Sequence, residues 1–430
     1  MKNTVFQNTT KYFLSMIPRI AAAILAGVLL LTLVYCIPTG RMEDHLAQSA
    51  AVFHEEGVMP RLFTWCTSFL DNYTDAIMLS NAAHSGTESA MVQAMTASRN
   101  QIEGMDPAAS VAAHYVKGVP FDQEVPYYQY WHGYLLLIKP LLFLTTYQNI
   151  RILNTVAQLA LLVVLVSLML RKGLKAYIIP YLLGIAFLMP VAMALSLQFA
   201  PCYCIMTIGS IAVLLAGERL DSKDYLLFLY LGIATSYFDF LTYPVATLGI
   251  PAAFYFLLKK TAPIKETFLQ GLRICFSWGF GYVTMWAGKW ILGSMITGIN
   301  ILATASDKLT ERSSANIAAD ESLLLNMYAA VSVNVKHFIQ TPATLLLGIF
   351  LLVVLALLIR QRKKHHANFM QAVQTLFPFF VLAVMPAVWY MATTNHSTIH
   401  YWFTGKALVT SVFAASCGLV KLYNNIPAEQ

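Results

Sequence analysis

The first side chains with chemistry to offer are two carboxylates, Asp71 and Asp75, in the stretch LDNYTDA. Four residues apart, they share one face of any helix running through them. Like charges at that spacing repel, so a cation, a donor hydroxyl or a nearby arginine must compensate them. A carboxylate within reach of a hydroxyl acts as a general base, and both residues are candidates for that role. Asp71 has a competing use as N-cap of a helix beginning at Asn72, which favours Asp75 as the base. The bland alternative for the pair is a solvated helix face.

Four further clusters stand out. VPYYQYWHG (125–133) crowds aromatic rings around an imidazole, with Tyr128, Trp131 and His132 as candidate sugar ligands. The competing reading is an aromatic belt at the headgroup level. SYFDFLTYP (236–244) carries Asp239 at the tip of a short apolar hairpin. An acid there faces a cavity or caps the helix that follows. WAGKW (286–290) holds Lys289, which snorkels to the interface or binds a lipid phosphate. NHSTIHYWFTGK (395–406) places His396 and His400 one turn apart, just ahead of Lys406. That spacing can hold a metal on a helix, but the Glu of an HExxH motif is missing. Two hydrogen-bonding imidazoles beside a lysine suit an anionic or polyhydroxyl ligand better, with helix-end packing as the alternative. The six cysteines lack metal-ligand spacing with neighbouring histidines. No metal site is assigned, and a divalent cation is the one candidate cofactor. Neither a Walker motif nor a GxGxxG unit is present, which argues against chemistry driven by cytosolic ATP.

These residues must be positioned by membrane helices. The chain is 58% hydrophobic and only 11% charged, with a mean hydropathy of +0.61; lipid gives a charged side chain no solvation. At ~20 apolar residues per crossing, about ten spans are expected, over 17–36, 151–170, 176–197, 203–217, 225–238, 241–258, 272–290, 342–360, 371–392 and 406–423. Lys and Arg collect in short loops after alternate spans (Arg171–Lys175, Arg219–Lys223, Lys259–Lys265, Arg360–Lys364). Placed inside, these loops put both termini in the cytoplasm. The net charge of +7 is then an orientation signal, and no nucleic-acid partner is implied. Residues 131–147 are apolar enough to cross, but crossing would carry Arg171–Lys175 outside. They are therefore expected as a shallow outer segment broken near Lys139-Pro140. The first span reads as an uncleaved anchor, since no small-residue cleavage site follows it. The expected fold is an all-α polytopic membrane protein, a single transmembrane domain over 1–430. It has a large helical first extracytoplasmic loop (37–150) and a second at 291–341, and most acidic residues and histidines fall on that side. Pro180, Pro190 and Pro201 interrupt the third and fourth spans.

The order of anchor, large acidic outer loop, multispan body and polar clusters at outer helix ends resembles the GT-C superfamily of integral membrane glycosyltransferases. YYQYWHGY, SYFDFLTYP, WAGKW and NHSTIHYWF are similar to segments of uncharacterised bacterial membrane proteins of that type. The resemblance implies transfer of a sugar from a polyprenyl-phosphate donor to an envelope glycan or lipid-linked acceptor, at the outer face of the bacterial cytoplasmic membrane. It places the base on Asp75 or Asp71. Many members carry the acid just after the first span, where this chain has Glu43 and Asp44. Independently of the resemblance, Lys289, Lys406 and Arg312 are outer-side cations able to stabilise a leaving phosphate, and the prenyl tail would lie between spans. Two other classes compete: a lipid or polysaccharide transporter, which calls for internal symmetry and mid-membrane ionisable groups, and a non-catalytic envelope-assembly protein.

Overall fold

Long apolar runs punctuated by glycine, proline and basic residues dictate helices. The computed structural model is helical apart from one two-stranded ribbon, and it describes residues 2–313, 322–362 and 368–425. The chain begins with α1 (Lys2–Tyr35). The first loop then folds as α2 (Gly40–Glu56), α3 (Asn72–Ala83), α4 (Ala90–Thr96), strand β1 (Arg99–Gln101), α5 (Pro107–Lys117), strand β2 (Gln123–Val125) and α6 (Leu135–Leu144). The body follows with α7 (Tyr147–Arg171), α8 (Ile178–Phe187), α9 (Pro190–Leu195), α10 (Ala200–Ala216), α11 (Asp224–Phe238), α12 (Val245–Leu258) and α13 (Ile264–Thr297). It closes with α14 (Ile301–Arg312), α15 (Leu323–Ile339), α16 (Ala343–Arg362), α17 (Phe369–Ala392), α18 (Thr394–Ile399), α19 (Tyr401–Thr404) and α20 (Val409–Asn425).

Six helical stretches are long and apolar enough to cross a membrane: Tyr12–Tyr35, Tyr147–Arg171, Leu197–Ala216, Ala343–Gln361, Phe369–Ala392 and Tyr401–Asn425. By length and hydropathy this is a multi-pass membrane protein. The other expected spans take different forms. The 176–197 run is not one helix. α8 stops at Phe187, Met189 turns to φ +57°, and Pro190 opens α9. Proline suits a helix start because the N–H it lacks is unbonded there anyway. α11 and α12 have 15 and 14 residues, and α12 is buried along nearly its whole length. α13 is long enough, at 34 residues, but carries more polar side chains. α6 has only 10 residues, ~15 Å at the usual rise per residue, too short to cross. Pro140 sits inside it without ending it. The basic stretch at 363–367 lies outside the described residues.

The body packs through small residues. A Cβ on Gly232 of α11 would collide with the Trp278 carbonyl of α13, and one on Gly281 with the Leu229 carbonyl. Such close backbone approach is how helices associate where lipid gives no hydrophobic drive. The first loop is pinned by Arg151 of α7. Its guanidinium donates to both carboxylate oxygens of Glu56, at 2.7 and 2.9 Å, and to Asn72 at 2.9 Å. That single fork ties the end of α2 and the start of α3 to a transmembrane helix.

Four buried lysines share one use. Lys139 donates to the Ala82 carbonyl at 2.7 Å, and Lys289 to that of Met95 at 2.8 Å. Lys406 reaches the Leu188 and Thr67 carbonyls at 3.0 and 3.2 Å, and Lys421 those of Phe256 and Lys259 at 2.6 and 2.7 Å. Ala82, Met95 and Phe256 lie in the last turns of α3, α4 and α12, and Leu188 just follows α8. Carbonyls without intrahelical partners and the negative end of the helix dipole therefore hold each ammonium. Each also lies over an aromatic ring, 4.3–5.8 Å from its centroid.

Candidate functional site

A cavity of about 1010 Å³ opens between the first loop, the face of α13, α14 and the segment joining α17 to α20. Asp71 enters it from the start of α3. The residue is 2% exposed. Its backbone N–H donates to Ser196 Oγ at 2.9 Å, and its Oδ1 caps α3 by accepting the Thr74 N–H at 2.9 Å. Oδ2 faces the cavity with Trp402 Nε1 at 3.4 Å. Burial raises the carboxyl above the ordinary aspartate range, against the bonds from Thr74 and Trp402.

Asp75, favoured as the base because capping explains it less well, is placed differently. It does not line the cavity. Oδ2 accepts the Tyr147 hydroxyl at 2.6 Å and the Leu197 N–H at 2.9 Å, and Oδ1 accepts the Gln198 N–H at 2.9 Å. Burial pushes its pKa up to about 6, opposed by Tyr147 and by the charge of Arg151. A hydroxyl and an arginine thus supply the expected compensation, and both oxygens are engaged. Capping and lining are not exclusive at Asp71, because the cap uses one oxygen and the other meets Trp402 at the cavity wall.

Two guanidiniums share the wall. Antiparallel pairing of β1 with β2 sets Arg99 opposite Val125, beside the aromatic run that follows, with its guanidinium 5.7 Å from the Tyr127 ring. Its Nε donates to Gln101 at 3.1 Å, while one terminal nitrogen is buried without a partner. Arg312 ends α14, 5.7 Å from the Tyr130 ring. Among the described residues neither arginine has a carboxylate partner. Lys308, also lining, is paired with Glu311 at 2.6 Å.

His396 and His400 both line the cavity, with rings 4.9 Å apart. His396 Nε2 donates to the Leu241 carbonyl at 2.8 Å, which leaves Nδ1 to accept from Arg312 at 3.3 Å. Burial and the charge of Arg312 hold His396 well below the usual histidine range and His400 at about 4. Of the two rings His396 is hydrogen-bonded through both nitrogens, whereas His400 Nδ1 is buried without a partner.

The remaining sequence candidates lie off the cavity. Asp239 caps the turn before α12, accepting the Thr242 N–H at 2.9 Å and its hydroxyl, behind a wall made by Phe240 and Leu241. His132, at φ +58°, bonds the Tyr134 hydroxyl at 2.9 Å and the Tyr127 carbonyl; burial lowers its pKa to about 3. Trp131 donates to the Met285 carbonyl at 2.7 Å. Tyr128 is half-buried and is not among the lining residues, while Tyr127, Gln129 and Tyr130 are. Lys289 and Lys406 are occupied by helix-end carbonyls, because a buried ammonium takes the nearest strong acceptors. Arg99 escaped the sequence reading because a lone arginine in a polar loop carries no pattern. Its place beside the aromatic run comes from the pairing of Arg99 with Val125, 26 residues away in sequence. Among the described residues no group of three or more His, Cys, Asp or Glu side chains could hold a metal ion.

No family model, curated protein or solved structure matches the chain.

Proposed function

We propose that the chain is a membrane glycosyltransferase that moves a sugar from a polyprenyl-phosphate donor to a glycan or lipid-linked hydroxyl at the outer face of a bacterial cytoplasmic membrane. One observation carries the reading: a buried carboxylate, Asp71, whose second oxygen has only a long bond from Trp402 Nε1, and two guanidiniums with no carboxylate partner among the described residues share one aromatic cavity. Asp71 takes the proton of the acceptor hydroxyl as its oxygen bonds to the anomeric carbon. The bond from that carbon to the phosphate oxygen breaks, and the electron pair leaves with the polyprenyl phosphate. Arg99 and Arg312 stabilise the charge that develops there.

The charges stay balanced through the step. Before transfer the two guanidiniums face one carboxylate and one phosphodiester charge. Afterwards Asp71 is neutral and the leaving phosphate carries two charges. A low-dielectric cavity rewards that constancy. The apolar surfaces of α13 and α17 offer the prenyl chain a path into lipid.

Initial rates with polyprenyl-phosphate hexoses and N-acetylhexosamines test the proposal. Asp71→Asn should cut turnover by ~10²–10⁴-fold, the usual worth of a positioned base, with little change in donor KM. Arg99→Gln and Arg312→Gln should raise donor KM as well as lower turnover. Normal turnover in Asp71→Asn would overturn the mechanism.

A further inference from the structure

Trp278, Tyr282, Trp286 and Trp290 follow one another at single-turn spacing along the cavity face of α13. The two ends of this ladder are already bonded: Trp278 Nε1 donates to Thr247 Oγ1 at 3.0 Å, and Trp290 Nε1 to the Gln129 carbonyl at 2.9 Å. The middle two are open. Tyr282 OH and Trp286 Nε1 are buried without a partner, and so is Trp389 Nε1, across the cavity on α17. The Tyr282 ring lies 5.6 Å from that of Trp286 and 6.5 Å from that of Trp389, so the three groups border one space. A buried donor left unmade is costly, and native structures rarely leave several together.

The chemistry of the trio narrows the occupant. An indole N–H only donates, a phenol donates readily, and none of the three is charged at neutral pH. A bare prenyl chain offers no acceptor. A phosphate is better served by Arg99 and Arg312, since an anion against uncharged donors loses more solvation than it regains. A sugar fits on both counts: its hydroxyl and ring oxygens accept hydrogen bonds, and its C–H faces pack on aromatic rings. We propose that Tyr282, Trp286 and Trp389 form the subsite for the sugar carried by the lipid donor. This rests on the reading of the cavity as a lipid-linked-sugar site, but not on catalysis.

The test is direct binding to the full chain in lipid nanodiscs. The probes are polyprenyl phosphate and polyprenyl-phosphate-linked glucose, mannose and N-acetylglucosamine. The wild type should bind at least one sugar-linked probe more tightly than the sugar-free lipid. Tyr282→Phe and Trp286→Phe keep a ring but remove the donor, so each should weaken that probe about 3- to 10-fold. Sugar-free lipid should bind within about 2-fold of wild type. Trp389→Phe gives the same reading from the opposite helix should an α13 variant fail to fold. Equal losses for both lipids would assign the trio to the carrier and overturn the proposal, as would no loss, or no preference for any sugar-linked probe. A wild type that shows the binding split but transfers no sugar would sink the enzymatic reading and leave the subsite standing.

Discussion

At Asp75 both carboxylate oxygens are taken by groups from distant parts of the chain; at Asp71 one oxygen caps α3 and the other looks into the cavity. The two should therefore respond differently to substitution. Asp75→Ala leaves two N–H groups and a hydroxyl unpaired in a dry interior, and should cost about 1–3 kcal/mol of stability, read as a lower melting temperature. Asp71→Asn should melt close to wild type because Asn caps as well as Asp, whereas Asp71→Ala loses cap and carboxylate together. The pH dependence follows from burial. A base works ionised, and Asp71 titrates above the ordinary 3.8. Activity should then fall on the acid side with a midpoint above that value, measured as turnover against pH. The shared face and the cap of this pair were legible in LDNYTDA. Which carboxylate stays open was not, because Tyr147, Leu197 and Gln198 reach α3 only through tertiary folding.

The lysines teach the corresponding lesson for elements. A lysine flanked by tryptophans at a helix end reads equally well as a phosphate ligand, yet Lys289 closes the last turn of α4. Lys289→Met should lower the melting temperature, by about 1–3 kcal/mol for carbonyls left unpaired, while leaving donor KM unchanged; a raised KM with an unchanged melting point would return Lys289 to the site. Helix starts and stops were largely visible, including Gly57 after α2, at φ +75°, and the proline that breaks the third apolar run at α9. The short length of α11 was visible too, since the expected 225–238 run nearly matches Asp224–Phe238. The burial of α11 and α12 was less so, because it comes from close packing, through Gly232 and Gly281 in the case of α11 against α13.

For the whole molecule, the pattern of basic loops predicts that residues 37–150 lie on one side of the membrane and Lys172 on the other, and α6, too short to cross, is compatible with that orientation. Single cysteines introduced at Glu103 and at Lys172, in a cysteine-free background, should label from opposite sides in oriented vesicles. Labelling of both from outside would require α6 to cross and would reverse every later segment. The long apolar helices were legible because hydropathy survives in sequence. The cavity was not, since its walls come from separate stretches of chain that only folding assembles.

The lysine caps also run in a fixed direction along the chain. In each case the accepting carbonyl precedes its lysine: Ala82 before Lys139, Met95 before Lys289, Thr67 and Leu188 before Lys406, Phe256 and Lys259 before Lys421. A chain made and inserted from its N-terminus, at ~5–20 residues per second, thus has a receptor ready whenever one of these positive charges emerges. No such ammonium waits in the bilayer for a partner still to be synthesised. Rearranging the gene so that the C-terminal half is translated first would reverse that order for Lys289 and Lys406 without altering a contact in the finished fold.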